Sequence, residues 1–210
     1  MQKQTERMSA LINITLIRHG ATKGNLERRY VGRTDESLLL SSRQSLSGHA
    51  RVFPTKDSAV IYVSPLKRCL ETAEALFPGM PFTIVQDFRE CDFGIFEYKN
   101  YEELNGRPEY QRFIDEGGTT GFPEGESREE FSRRCVHAFG EIADTWENTD
   151  SCSPERIFVV HGGTIMSLLD AYSNPHADYF SWQTANGTGY QAIWNPIDRK
   201  FENIRAYCPI

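Results

Sequence analysis

The sequence predicts an α/β fold, a three-layer α/β/α sandwich with a mostly parallel central sheet, and three observations predict it. Short apolar runs rich in β-branched residues recur at strand length, at residues 11–17 (LINITLI), 59–63 (AVIYV) and 157–160 (IFVV). Each run is apolar on both faces, as a strand buried between two helical layers must be. Stretches with helical spacing lie behind these runs, and strands that alternate with helices imply crossover connections.

The elements follow in chain order. Residues 11–17 form the first strand and 59–63 the second. Ser64 and Pro65 then suit the N-cap and first position of a helix, whose stripe Leu66, Leu70, Ala73 and Leu76 or Phe77 ends at Pro78-Gly79. Residues 82–85 make a weaker strand. The stretch 91–125 is rich in Phe, Tyr, Gly and Glu and keeps no period; it reads as a short helix plus a long loop, inserted lid-like over one end of the sheet. Ser127-Arg128-Glu129-Glu130 has the form of a capping box and opens a helix through Phe131, Cys135, Ala138, Phe139 and Ile142. The run 157–160 leads directly into a helix over 164–172. Finally, Gly189–Asn195 and Lys200–Tyr207 flank Pro196-Ile197-Asp198-Arg199, a hairpin at a sheet edge. With no linker or low-complexity tract, residues 1–210 read as a single domain.

Composition narrows the function. Of the 210 residues 39% are hydrophobic and 25% charged, which excludes a disordered, collagenous or coiled-coil chain. Lys and Arg number 23 against 29 Asp and Glu, a net −6 that argues against a nucleic-acid partner while permitting a local cationic pocket. No apolar run approaches the about 20 residues of a membrane helix, so no membrane partner is expected. The N-terminus lacks the apolar core of a signal peptide, and Met8 is an alternative start. Five cysteines (Cys69, Cys91, Cys135, Cys152, Cys208) without a CxxC pair fit reduced thiols and a cytoplasmic location. The sequence leaves the oligomeric state open.

Ligands of open α/β sheets bind beyond the carboxyl ends of the strands. Arg18 and His19 follow the first strand, Arg68 lies in the first turn of the helix after the second, and His161 follows the third. Helix N-termini at the same end offer N–H groups to an anion. Two guanidiniums and two imidazoles there describe a phosphate pocket within an acidic chain. Taken singly, a His before Gly is a loop residue and Arg68 a solvated helix arginine; shared position separates them from His49, His137 and His176, which read as structural. An internal echo, His19-Gly20-Ala21-Thr22 against His161-Gly162-Gly163-Thr164, marks two of these ends.

Leu16-Ile17-Arg18-His19-Gly20-Ala21-Thr22, with Asn25 three residues on, resembles the signature of the histidine phosphatase superfamily, in its phosphoglycerate mutase-like branch. Ser64-Pro65-Leu66-Lys67-Arg68 is similar to its second arginine motif, and Phe88-Arg89-Glu90-Cys91-Asp92-Phe93-Gly94 to the segment carrying its acid. Gly125-Glu126-Ser127 and Val160-His161-Gly162-Gly163-Thr164 complete the series in family order. Two departures stand out: Ser41-Ser42 replace a glycine usual before the first helix, and Glu124 replaces one before Gly125.

The resemblance implies a phosphoglycerate mutase-like fold and a phosphomonoesterase. In it His19 attacks phosphorus, splitting hydrolysis into formation and breakdown of a phosphohistidine. Arg18, Arg68 and His161 bind the equatorial oxygens and follow their charge into the transition state. Glu90 protonates the leaving alkoxide and then activates water, with Asp92 and Glu97 as rivals. Asn25, Thr22 and Gly162 are expected to bind the substrate. Neither metal nor cofactor is required, and the partner is a small-molecule phosphomonoester.

The family rival is a phosphoglycerate mutase, but such mutases carry a longer insertion with paired arginines. Here the interval from Glu90 to His161 is short, and its nearest pair, Arg133-Arg134, falls inside a predicted helix. The shorter aromatic segment resembles that of small α-ribazole phosphatase-like enzymes. A non-catalytic phosphate binder is disfavoured because every pocket residue is present, and a metal hydrolase because no HxH, HExxH or HD pair occurs.

Overall fold

The structure, a computed structural model, describes residues 11–51, 58–118, 121–146 and 154–209. Cys152 and Met8 lie outside the described residues. The strands are β1 (Ile12–Arg18), β2 (Ala59–Val63), β3 (Phe82–Ile84), β4 (Glu155–Val160), β5 (Gly189–Asn195) and β6 (Lys200–Tyr207). The helices are α1 (Lys23–Leu26), α2 (Leu40–Gly48), α3 (Lys67–Leu76), α4 (Tyr101–Leu104), α5 (Pro108–Asp115), α6 (Arg128–Asp144) and α7 (Gly162–Tyr172).

The strands form one sheet in the order β3-β2-β4-β1-β5-β6. The first four are mutually parallel, and the hairpin β5-β6 adds antiparallel at the β1 side. The central strands read as apolar runs because helices cover both their faces. On one face Ile12, Ile14, Leu16, Phe158, Val160, Trp194 and Phe201 meet Phe139 of α6 and Ile165, Leu168 and Leu169 of α7. On the other, Ile17, Ile61, Val63, Ile157 and Val159 meet Leu46 of α2 and Cys69, Ala73 and Leu76 of α3. Phe139 sits among Trp146, Phe158, Tyr172, Trp194 and Phe201, so truncating it to Ala would cost about 3–5 kcal/mol.

Register positions the site. Arg18 pairs with Val160 and Val63 with Val159, so the residues that follow β1, β2 and β4 leave the sheet side by side. The capping box of α6 is present: the Glu130 N–H donates to Ser127 Oγ at 3.1 Å and the Ser127 N–H to Glu130 Oε2 at 2.9 Å.

Three expectations change. Ser64-Pro65 does not cap α3, which starts at Lys67 with Leu66 at its N-cap and no side-chain cap bond. Ser64 is fully buried, and its hydroxyl bonds the His161 ring instead. The stretch 91–125 holds two short helices, α4 and α5, rather than one; an Asn100–Glu103 capping box starts the first and Pro108 the second. Helix α7 begins at Gly162, two residues early, which puts His161 itself at the N-cap position. The departure at Glu124 has a backbone consequence, since its φ of 59° lies in the left-handed region where a glycine carries no Cβ penalty.

Candidate active site

His19 ends the β1–β4 ladder, its N–H donating to Val160 O at 3.0 Å, and only 3% of it is exposed. Its Nδ1 lies 2.7 Å from Gly20 O. A carbonyl only accepts, so the proton sits on Nδ1 and the lone pair on Nε2. Burial, then the charges of Arg68 and Arg18, hold the ring well below the ordinary 6.5, so it is neutral at neutral pH. The loop is pinned around it: the Gly20 N–H donates to Thr72 Oγ1 at 3.0 Å and the Ala21 N–H to Ser42 Oγ at 2.8 Å. Ser42 therefore takes a bonding role in the stretch that departs from the family pattern.

His161 is fully buried, its ring edge-on to His19 with centroids 5.2 Å apart. Its Nδ1 accepts from Arg68 Nε at 3.4 Å and its Nε2 faces Ser64 Oγ at 2.7 Å. The proton thus sits on Nε2, and burial followed by Arg68 keeps this ring neutral too. Cys69 Sγ lies 3.6 Å from the same Nε2, but burial pushes this thiol up to about 12, far from a reactive thiolate.

Arg68 is also fully buried, its guanidinium donating to Thr34 O and Gly32 O at 2.8 Å and to Val31 O at 3.2 Å. Those carbonyls compensate a charge that would otherwise be costly to bury. Arg18 donates from Nη1 to Thr184 O at 2.7 Å, while its buried Nε finds no protein acceptor. An unsatisfied buried donor on a guanidinium is what an anion would repair.

Glu90 places Oε2 3.8 Å from His161 Nδ1, and its Oε1 accepts the Cys91 N–H at 3.0 Å. Burial is the main cause that raises its carboxyl above the ordinary 4.5. The rivals are engaged elsewhere. Asp92 Oδ1 accepts the Gly94 N–H, and Glu97 Oε1 accepts Gly32 and Thr34 N–H groups and the Thr34 hydroxyl.

The expected substrate-binding residues divide. Gly162 opens α7 beside Arg18, and a Cβ there would lie 3.4 Å from Arg18 Nε. Thr22 is buried and caps α1, in a capping box with Asn25. Asn25 Oδ1 also accepts from Asn186 Nδ2 at 3.0 Å, so Thr22 and Asn25 frame the loop. Asn186 donates at 3.1 Å to His19 O as well; neither it nor Thr184 is picked out from the sequence, which marks Ser64 only as a helix cap and motif residue. The Asn186-Gly187 turn before β5 was the available signal. A polar opening of about 510 Å³, lined by Arg18, Glu90, Gly162, Gly163, Met166 and Thr184 among others, gives access to the cluster. Among the described residues no group of three or more His, Cys, Asp or Glu is disposed to hold a metal, and no helix is long and apolar enough to cross a membrane.

Comparison with known proteins agrees with this geometry. Residues 14–202 match the family model of the histidine phosphatase superfamily, branch 1. The chain is 33% identical over 165 residues to phosphoglycerate mutase-like protein 4 of Arabidopsis thaliana, covering 75% of this chain and 69% of that protein. It is 27% identical over 175 residues to the "Uncharacterized phosphatase PhoE" of Bacillus subtilis, covering 82% and 83%. The crystal structure of the α-ribazole phosphatase from Shigella flexneri superposes with a TM-score of 0.76 at 18% identity, covering 93% of this chain and 96% of that one, a likeness of fold.

Proposed function

We propose, from the premise that the chain belongs to the histidine phosphatase superfamily (branch 1), that it hydrolyses a small-molecule phosphate monoester through a phosphohistidine on His19. The observation that carries this reading is the Nδ1 contact with Gly20 O, which leaves the Nε2 lone pair free on the residue next to Arg18, whose buried Nε finds no protein acceptor. Nε2 attacks phosphorus as the ester P–O bond breaks, and Glu90 gives its proton to the departing alkoxide. Water then attacks the phosphohistidine, Glu90 takes the water's proton, and the P–N bond breaks to return neutral His19 and phosphate.

Arg18 and Arg68 hold the phosphoryl oxygens, where positioned positive charge contributes most to phosphoryl transfer, and neutral His161, its ring nitrogens engaged by Arg68 and Ser64, positions Arg68 beside them. The scheme needs neither metal nor cofactor. A raised carboxyl pKa suits Glu90 to its first task, since only the protonated form can donate. α-Ribazole 5′-phosphate is the first substrate to try, on the likeness of the aromatic segment and the fold.

The test is an acid-labile, base-stable label. Brief incubation with a 32P-labelled monoester should leave phosphate on His19, found by peptide mapping after alkaline quench. A label elsewhere, or full activity in His19→Ala, defeats the assignment. Given a phosphoglycerate isomer, the enzyme should release phosphate; rapid isomerisation without release would mark a mutase instead.

A further inference from the structure

A second recess, about 410 Å³, opens off the phosphate end of the site, and Glu90, Gly163 and Met166 line both it and the polar opening beside Arg18. Its walls are rings: Phe93, Phe113, Phe122, Phe131, Tyr179 and Phe180. They come from three places in the chain, the stretch 91–125, helix α6 and the turn Tyr179–Trp182. Phe93 and Phe122 meet edge to face at 4.8 Å, which shapes the recess without filling it. At its rim the Arg128 guanidinium lies 5.6 Å from both the Tyr179 and Phe180 rings, which meet edge to face at 5.1 Å. Phe180 and Ile114 are 60% and 52% exposed, so the lip presents apolar surface to solvent beside a polar site.

In an in-line displacement the leaving oxygen lies opposite the nucleophile, next to the group that protonates it. With Glu90 as that group, the carbon skeleton of the alcohol starts at the mouth of the ring-lined recess. A polyol or glycerate entering it would leave hydroxyls against phenyl faces with few partners, a desolvation penalty with no return. We infer that the recess seats an apolar, ring-bearing part of the substrate's organic group. The inference rests on the phosphatase reading and adds the class of alcohol to it.

The experiment compares kcat/KM for 2-phenylethyl phosphate and ethyl phosphate, whose alcohols are equally poor leaving groups, so that only the ring differs. Burying one ring should favour the phenylethyl ester by about 10–100-fold. A ratio under about 10 overturns the inference. Phe180→Ser and Ile114→Ser then alter the lip at exposed positions, and the ratio should fall at least about threefold in one or both. A smaller fall in both also overturns it. Equal phosphate release from the two esters removes the inference while leaving the hydrolase reading intact. No release from either, with no label on His19, removes both.

Discussion

His19-Gly20-Ala21-Thr22 and His161-Gly162-Gly163-Thr164 are nearly the same four residues, each at the end of a central strand, yet the fold wires them differently. His19 points Nδ1 at its own chain, at Gly20 O, and leaves Nε2 unengaged by protein. His161 has both nitrogens in contact with neighbours, Nδ1 with Arg68 and Nε2 with Ser64. Thr22 caps a helix, whereas Thr164 is buried in the first turn of one, 3.8 Å from Cys135 Sγ. Gly20 is hemmed in, a Cβ there meeting Ser42 Oγ at 2.6 Å and Leu46 Cδ1 at 2.7 Å, while Gly162 has room. The same short pattern therefore leaves one ring nitrogen free in one place and both engaged in the other, and the difference lies in what packs against each.

The largest expected effect separates the two rings. His19→Ala should lower kcat by at least about 10⁴-fold and abolish the trapped phosphohistidine. His161→Asn should cost about 10²–10³-fold, the scale of one displaced transition-state donor, here Arg68, and still allow trapping. A label that disappears in His161→Asn and persists in His19→Ala would invert the comparison.

Glu90 Oε2 lies 3.8 Å from His161 Nδ1, and the proposed mechanism gives it the leaving side. Glu90→Gln should lose about 10²–10⁴-fold on an alkyl phosphate. With nitrophenyl phosphate, whose leaving group departs almost unassisted, the phosphorylation step should lose far less and phosphohistidine should accumulate. Single-turnover rates on the two esters give the answer, and equal losses would make Glu90 structural.

The pH profile sharpens the same contrast. Protonation removes the His19 lone pair, so activity falls as pH drops through its depressed value, placing the acid limb below 6.5. Glu90 must be protonated to donate, so activity on an alkyl phosphate falls as pH rises through its raised value, placing the alkaline limb above 4.5. In Glu90→Gln the alkaline limb should flatten while the acid limb stays. An acid limb at or above 6.5 in the wild type would mean His19 titrates as a solvated imidazole.

The smallest effect is on stability. Gly20→Ala should cost about 1–3 kcal/mol, because Ser42 and Leu46 must move to admit a methyl. Gly162→Ala should stay within about 1 kcal/mol of wild type, helix propensity offsetting a contact 3.4 Å from Arg18. Urea unfolding midpoints of the two variants test the pair, and equal losses would mean the crowding at Gly20 relaxes freely.

Sequence alone determined the strands, the capping box at Ser127, the hairpin, and the gathering of Arg18, His19, Arg68 and His161 at one end of the sheet. Periodicity, cap chemistry and strand ends are signals carried within a few residues, so they survive without a fold. Only the tertiary structure decided which nitrogen of His19 is free, that Ser64 serves His161 instead of capping α3, and that Thr184 and Asn186 close the site. Arg18 and Thr184 are 166 positions apart and meet because β5 pairs antiparallel with β1. The carbonyl cradle of Arg68 and the ring-lined recess have the same origin. A backbone oxygen at Gly32 or a phenyl at Phe122 looks ordinary in the chain, and becomes an anchor or a wall through the packing of segments that no local pattern connects.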